Sequence, residues 1–309
     1  MIFKRKIYDE LLAWKRQSDG STALLVEGAR RVGKSSIVEE FAKREYSSYI
    51  LVDFNRPKPG VVDAIVNRPD DLDGLFNLLM VSYGRILERR RSLIVFDEVQ
   101  RCPEARQLIK YLVADGRYDY IETGSLISIK KNVRNITIPS EEESIGMFPM
   151  DFEEFCWALG DDVSVAFARK AFAEGRPMGE GVHRAVMKRF REYLLVGGMP
   201  QAVDVYRETG DFGKTDRIKR TILRLYGNDI SKYAGNDAPK VRGIFEQIPG
   251  QLSKKEKKYF LSAVGADARM REYADSFRWL DESRIVNIAR NATDPDIALA
   301  MREGFGTEK

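Results

Sequence analysis

The residues with the clearest chemical meaning lie between positions 28 and 35, where the string fits the phosphate-loop pattern GxxxxGK[ST]. Glycines let a backbone approach phosphate oxygens closely, and the amides that open a helix carry partial positive charge. Lys34 is expected to reach the β- and γ-phosphates and to assist their reaction, and the Ser35 hydroxyl to bind Mg²⁺. The predicted nucleotide-binding residues here are Gly28, Ala29, Arg30, Arg31, Val32, Gly33, Lys34, Ser35 and Ser36.

A pair of carboxylates follows the next strongly apolar segment, Leu93-Ile94-Val95-Phe96. Mg²⁺ takes few protein carboxylates and keeps several waters, so Asp97 is expected to bind it. Glu98 is expected to act as the general base that polarises the attacking water. Asp97-Glu98 alone is also typical of an ordinary charged strand end, but its order after a phosphate loop favours a nucleotide site.

A further strand-like segment, residues 118–122, ends in small polar residues. Thr123 or Ser125 is a candidate for a contact to the γ-phosphate. The alternative is an ordinary turn from strand to loop.

Composition limits the classes of function. The chain has 309 residues, of which 43% are hydrophobic and 32% charged, and its formal net charge is +4. No apolar stretch approaches the ~20 residues of a membrane span, and no secretory signal is evident. One histidine, His183, and two cysteines, Cys102 and Cys156, leave no set of residues for His-based metal sites, Ser-His-Asp catalysis or a disulfide framework. We therefore expect a cytoplasmic protein without a membrane partner.

The elements that must position these residues alternate between strands and helices. Strands are predicted at residues 23–26, 49–54, 93–97, 119–123 and 145–148, with helices at 2–16, 36–42, 72–89 and 103–114. Residues 60–74, which contain Pro69, are predicted to be irregular. This alternation indicates an α/β fold in which a parallel sheet lies between helical layers, with the nucleotide at the carboxyl edge of the strands.

The strand pattern stops after about residue 155. We predict a core that contains the phosphate loop over residues 1–158, an all-helical unit over 159–240 and a smaller unit over 241–309. In the last unit, helical segments precede a short strand-like piece at 284–288, which is the layout of a winged helix-turn-helix.

Taken together, these residues resemble a family of prokaryotic AAA-superfamily P-loop ATP-binding proteins of poorly defined function. The resemblance extends to Met147-Phe148-Pro149-Met150-Asp151-Phe152, Gly197-Gly198-Met199-Pro200 and Ile248-Pro249. It implies a three-layer α/β/α P-loop core with strand order 5-1-4-3-2, followed by a helical lid and a winged-helix-like segment. It further implies ATP as the nucleotide, and carries Pro200 over as an adenine-side contact; a simple helix break is the alternative for that position.

Two departures from the family pattern matter. Members usually continue into a C-terminal nuclease-like domain, so this chain is expected to be a fragment or a short form without nuclease activity. The usual candidate for a charge-neutralising arginine is also missing, and Arg134 or Arg191 is a possible replacement. Such an arginine is worth ~10³–10⁵ in rate where it acts, so its absence would slow hydrolysis.

Two functional hypotheses follow. The first is a Mg²⁺-dependent ATPase that changes shape with its nucleotide. The second is a nucleotide-switched module that binds duplex DNA or a protein client with little hydrolysis, suggested by the basic run at residues 254–258. A solvated helix face also explains that run. Self-association is compatible with either hypothesis.

Overall fold

The computed structural model describes residues 2–125, 140–256, 258–265 and 268–289. Within them, the centre of the fold is a five-stranded sheet with strand order β2-β3-β4-β1-β5, in which every neighbouring pair is parallel. This is the predicted order 5-1-4-3-2 read from the other edge, so the α/β prediction is confirmed. The strands are β1 Ala23–Gly28, β2 Ser48–Asp53, β3 Ser92–Asp97, β4 Asp119–Gly124 and β5 Glu142–Met147.

Helices connect the strands and then continue alone after β5. In the described part of the chain, no helix is both long enough and apolar enough to cross a membrane. The core helices are α1 Ile7–Ser18, α2 Lys34–Glu45, α3 Val61–Asn67, α4 Leu72–Tyr83 and α5 Pro103–Asp115. The later helices are α6 Phe152–Ala158, α7 Ser164–Ala173, α8 Glu180–Val196, α9 Pro200–Thr209, α10 Phe212–Tyr233, α11 Ala238–Ser253 and α12 Met270–Glu282.

Two hydrophobic clusters cover the two faces of the sheet and make the predicted three layers. On one face, α3, α4 and α5 pack against side chains such as Phe96 and Tyr120. On the other face, α1 and α2 pack against alternate residues, among them Val26 and Ile121. Successive strand side chains point to opposite faces, and because helices cover both faces, the central strands β1 and β3 consist of nearly continuous hydrophobic residues. Tyr226 of α10 joins the second cluster, so that helix packs directly on the core.

Several predicted element boundaries were wrong, each for a local reason. The helix predicted at 72–89 ends at Tyr83, because Gly84 takes a left-handed conformation with φ 60° and closes it. The first helix begins at Ile7 rather than at residue 2. Residues 60–74 are not wholly irregular, since α3 lies within them and buries Val61, Ala64 and Ile65 at helical spacing.

The strand predicted at 284–288 is also wrong. Arg284 adopts a φ of 57° in a turn, and the residues after it do not pair with a strand within the described ranges. Their apolar side chains, including Val286, pack instead against Leu280 of α12. The winged-helix segment therefore lacks its expected strand there, and the predicted boundary at residue 240 falls in the first turn of α11.

Candidate functional site

The phosphate loop joins β1 to α2 in the geometry that its sequence predicts. Gly33 precedes the helix with φ 101°, and Arg31 has φ 67° although it is not a glycine. Gly28 lies so close to β5 that a Cβ atom there would be 2.2 Å from the Met147 carbonyl oxygen. A glycine is therefore required at position 28 for close approach and at position 33 for backbone conformation. The resulting concave turn presents successive amides to an anion.

Lys34 opens α2 and is buried, with 6% of its surface exposed. Its ammonium group donates hydrogen bonds of 3.0 Å to the carbonyl oxygens of Gly28 and Ala29. Burial lowers the pKa of Lys34 to about 8, while the negative charges of Glu98 and Asp97 act in the opposite direction. The ammonium group is thus held by the loop's own carbonyls beside two carboxylates, where incoming phosphates would stabilise its charge.

The predicted magnesium ligands lie side by side. The Ser35 hydroxyl donates to Asp97 Oδ1 over 2.7 Å, which joins the first turn of α2 to the end of β3. The Thr123 hydroxyl, at the end of β4, donates to the same carboxylate oxygen. Three elements thus converge on Asp97. Of the two γ-phosphate candidates, Thr123 contacts this carboxylate, whereas Ser125 lies just beyond β4 and is 3% exposed.

This donor set fits Mg²⁺. A hydroxyl and a carboxylate are hard oxygen ligands, and Mg²⁺ in nucleotide sites is held by one or two such groups together with phosphate oxygens. Ser35 and Asp97 are the residues that would hold it. Among the described residues, no group of three or more His, Cys, Asp and Glu side chains could hold a metal ion.

Glu98 follows Asp97 in an unusual backbone conformation with φ 57°. Non-glycine residues in this region are strained and persist only where the surroundings fix them. Here the Glu98 N–H donates to the Thr123 hydroxyl over 3.4 Å, and the Gln100 side-chain amide donates to the Glu98 carboxylate. Sequence reasoning missed the role of Gln100, although it follows the acid pair directly.

A cavity of about 280 Å³ adjoins the phosphate loop. Pro200, the residue proposed from the resemblance as a base-side contact, lines it, and a Cβ built on Gly33 would lie 3.8 Å from Pro200 Cγ. Ser36 also lines it, together with the apolar side chains Phe3, Ile37, Met147 and Met150. Such largely apolar walls suit the flat faces of a nucleobase.

Arg5 is a cavity residue that sequence reasoning missed. Its guanidinium donates to the Val32 carbonyl over 2.9 Å and to the Phe148 carbonyl over 2.6 Å. It also pairs with Glu154 at 3.1 Å. Arg5 thus fixes the phosphate loop to the segment after β5, and no local sequence signal reveals a contact between residues so far apart.

The two loop arginines point to helices that follow the sheet. Arg30 pairs with Asp229 of α10 at 2.8 Å, and the Tyr226 hydroxyl donates to the Arg30 carbonyl oxygen over 2.9 Å. Arg31 donates to the Gln201 side chain of α9 over 2.7 Å. These partners were also absent from the sequence prediction.

The remaining candidates lie elsewhere. Arg191, one of the two proposed charge-neutralising arginines, is exposed on α8, and the other, Arg134, lies outside the described residues. In the basic run, Lys254 donates to Gln251 Oε1 over 3.4 Å, and Lys257 is outside the described residues.

Comparisons with known proteins agree with this geometry. Residues 20–156 match the family model of an AAA domain, and residues 187–303 match that of a domain of unknown function (DUF8612). No protein of curated function matches significantly.

Solved structures that are similar to the chain include the following two. One is a Walker-type ATPase of Pyrococcus abyssi, with 17% identity, a TM-score of 0.50, and coverage of 91% of this chain and 90% of that chain. Another is the ORC2 protein of Aeropyrum pernix, with 13% identity, a TM-score of 0.36, and coverage of 91% and 85%. The first similarity concerns the fold. With the phosphate loop and the strand order, the family match shows that residues 20–156 of this chain form an AAA domain with a P-loop fold.

Proposed function

We propose that the protein binds ATP with Mg²⁺, hydrolyses the γ-phosphate bond and uses its nucleotide state to alter the packing of its helices. The observation that carries this proposal is the 2.7 Å contact between Ser35 and Asp97 at the mouth of the phosphate loop. It places a hydroxyl, a carboxylate and the start of α2 together, which is the arrangement that a magnesium–nucleotide complex requires.

Each residue has a distinct role in the proposed reaction. The loop amides and the Lys34 ammonium group bind the phosphates and stabilise negative charge as the bond breaks. Glu98 accepts a proton from the attacking water as general base. Thr123, which bonds both Asp97 and the Glu98 backbone, fixes their relative positions. Mg²⁺ held by Ser35 and Asp97 supplies charge neutralisation of the phosphate oxygens.

The cavity beside the loop supports ATP as the nucleotide. Pro200 and Met147 form part of its apolar wall, and Ser36 adds a hydroxyl. The adenine ring is proposed to occupy it, in line with the AAA-domain match.

The contacts of Arg30 and Arg31 support a conformational role. They join the loop to α10 and α9, so a change in the loop on hydrolysis would reach these helices directly. The proposed site of action is the cytoplasm, which the two buried free thiols, Cys102 and Cys156, support.

Calorimetry with Mg–ATP and a phosphate-release assay test the proposal. Lys34→Ala should raise the dissociation constant more than about tenfold. Glu98→Gln should retain binding but lose about 100-fold in turnover or more. Lys110→Ala and Glu104→Gln, on the exposed face of α5, are matched controls. Absence of heat with the wild-type chain would refute nucleotide binding, and full turnover in Glu98→Gln would remove its role as base.

The alternative of a nucleotide-switched DNA- or protein-binding module is tested with the same material. Duplex DNA is titrated with and without ATP at several salt concentrations. Affinity that falls steeply with salt would favour DNA as partner, because phosphate contacts release counterions. Negligible turnover together with nucleotide-dependent DNA binding would favour the module over the ATPase.

A further inference from the structure

The backbone of the phosphate loop is supported from α10, almost 200 residues later in the chain. The Tyr226 hydroxyl donates to the Arg30 carbonyl oxygen over 2.9 Å. In a planar trans peptide the carbonyl and the following N–H point in opposite directions. With the Arg30 carbonyl bound on the α10 side, the N–H of Arg31 is directed away from α10. Tyr226 therefore sets the orientation of one amide in the loop.

The peptide that joins Arg30 to Arg31 precedes a residue with an unfavourable backbone conformation. Arg31 has φ 67°, a conformation that a side-chain-bearing residue rarely adopts. Such a conformation persists where its neighbours hold it. Two contacts flank it, the Tyr226 bond to the preceding carbonyl and the Arg31 bond to Gln201.

Asp229 holds the same loop through a charge. Asp229 is 5% exposed and pairs with Arg30 through Oδ1, while Oδ2 is buried without a hydrogen-bond partner in the described part of the chain. A buried carboxylate depends strongly on its ion pair, because water does not solvate it. Burial and the Asp229 charge raise the pKa of Tyr226 to about 12, which keeps its hydroxyl a neutral donor.

We propose that Tyr226 and Asp229 are positioning residues of the phosphate loop, and that nucleotide binding is coupled to the packing of α10 through Arg30. This inference rests on the proposed nucleotide-binding function. It joins the two matched family segments, since Arg30 lies in the AAA domain and both partners lie in the segment of unknown function. Coupling is reciprocal, so a nucleotide that needs the ordered loop must in turn stabilise α10.

The test measures the affinity for the non-hydrolysable analogue AMP-PNP with Mg²⁺ by calorimetry. Tyr226→Phe, which loses one hydrogen bond, should raise the dissociation constant about fivefold. Asp229→Asn should raise it about tenfold. Tyr233→Phe and Asp216→Asn remove the same groups from the same helix away from the loop, and should stay within about twofold of the wild type.

Two further measurements separate positioning from a general effect on the fold. In an Arg30→Gln background, Asp229→Asn should change the dissociation constant less than about twofold, because their interaction is already lost. AMP-PNP should slow hydrogen exchange of α10 amides in the wild type and fail to do so in Arg30→Gln. Arg30 is the half-exposed member of this ion pair. Arg30→Gln can therefore test the inference even if Asp229→Asn does not fold.

The outcomes are distinct. A wild-type chain that binds no AMP-PNP overturns the proposed function and this inference with it. Wild-type binding with unchanged affinity in Tyr226→Phe and Arg30→Gln overturns the inference alone. Additive effects of the Arg30 and Asp229 substitutions also overturn it.

Discussion

Ser35 Oγ lies 2.7 Å from Asp97 Oδ1, so the first turn of α2 and the carboxyl end of β3 meet through these two side chains. The Thr123 hydroxyl donates to the same oxygen from β4. One carboxylate oxygen thus accepts two hydroxyl donors, and a divalent cation would compete with them for its lone pairs.

Asp97→Asn should separate magnesium binding from nucleotide binding. The substitution removes the negative charge but keeps the shape of the side chain. We expect the dissociation constant for Mg–ATP to rise about tenfold, because a charged ligand is replaced by a neutral one. The constant for ATP in EDTA should change little. Asp53→Asn, at the end of the neighbouring strand β2, is the control, and equal losses with and without Mg²⁺ would contradict the assignment.

Lys34 predicts a pH dependence of nucleotide affinity. Its folded-state pKa is lowered to about 8, chiefly by burial, so the ammonium group loses its proton as pH rises through that value. Only the charged form binds phosphates strongly, so affinity should be constant below about pH 7 and about tenfold weaker at pH 9. Titration calorimetry across this range measures it.

Lys34→Arg is the matched control for that titration, because arginine stays charged throughout this range. Its affinity, although weaker, should not vary between pH 7 and pH 9. A wild-type affinity independent of pH would show that Lys34 remains charged in the empty site.

Gln100→Ala tests whether Gln100 orients the general base. The Gln100 amide donates to the Glu98 carboxylate, and Glu98 itself has a strained backbone. Without that donor, we expect turnover to fall about tenfold while the dissociation constant for ATP is unchanged. Gln107→Ala, on the exposed face of α5, should leave both quantities unchanged. Unaltered turnover in Gln100→Ala would mean that Thr123 alone suffices to place Glu98.

Glu122→Gln should stabilise the protein at neutral and alkaline pH. Glu122 of β4 is fully buried, and burial together with the neighbouring Glu142 carboxylate raises its pKa well above the ordinary value. The folded state therefore binds more protons than the unfolded state, and the free energy of unfolding falls as pH rises above about 4.5. Glutamine cannot ionise, so thermal unfolding should show a variant advantage that grows with pH and vanishes below pH 4.5.

Glu142→Gln is the contrasting variant. Arg106 donates to the two oxygens of Glu142 at 2.8 Å and 2.5 Å, and both side chains are buried. Loss of the carboxylate charge removes the charged partner that makes two hydrogen bonds to a buried guanidinium, so this variant should be destabilised by about 3 kcal/mol. If both substitutions stabilised the protein, repulsion between the Glu122 and Glu142 carboxylates, rather than the burial of Glu122, would explain the effect.

The sheet and the phosphate loop were predictable because their signals are local or shared with a known family. The spacing of the glycines predicted the positions of Lys34 and Ser35, and the apolar strand before it predicted the position of Asp97. The order of the strands came from the family resemblance, since alternation alone does not specify which strands are neighbours. The alternation did predict parallel pairing with helices on both faces.

The supporting contacts were not predictable in the same way. Arg5, Tyr226 and Asp229 contact the loop from remote parts of the chain, and nothing in a single sequence marks such pairs. The prediction of a strand at 284–288 was wrong for a related reason. The apolar residue Val286 packs against α12 and does not join a sheet within the described residues. Short apolar runs carry no information on which partner buries them.

The partners of Arg30 lie 196 and 199 residues further along the chain, beyond the end of the matched AAA segment at residue 156. A fragment ending there would retain the phosphate loop and the Asp97–Glu98 pair, but it would lack the contacts that Gln201, Tyr226 and Asp229 make with the loop. A chimera that carries only residues 20–156 would therefore lack these contacts. To keep them, the transferred segment would have to extend at least to Asp229 of α10.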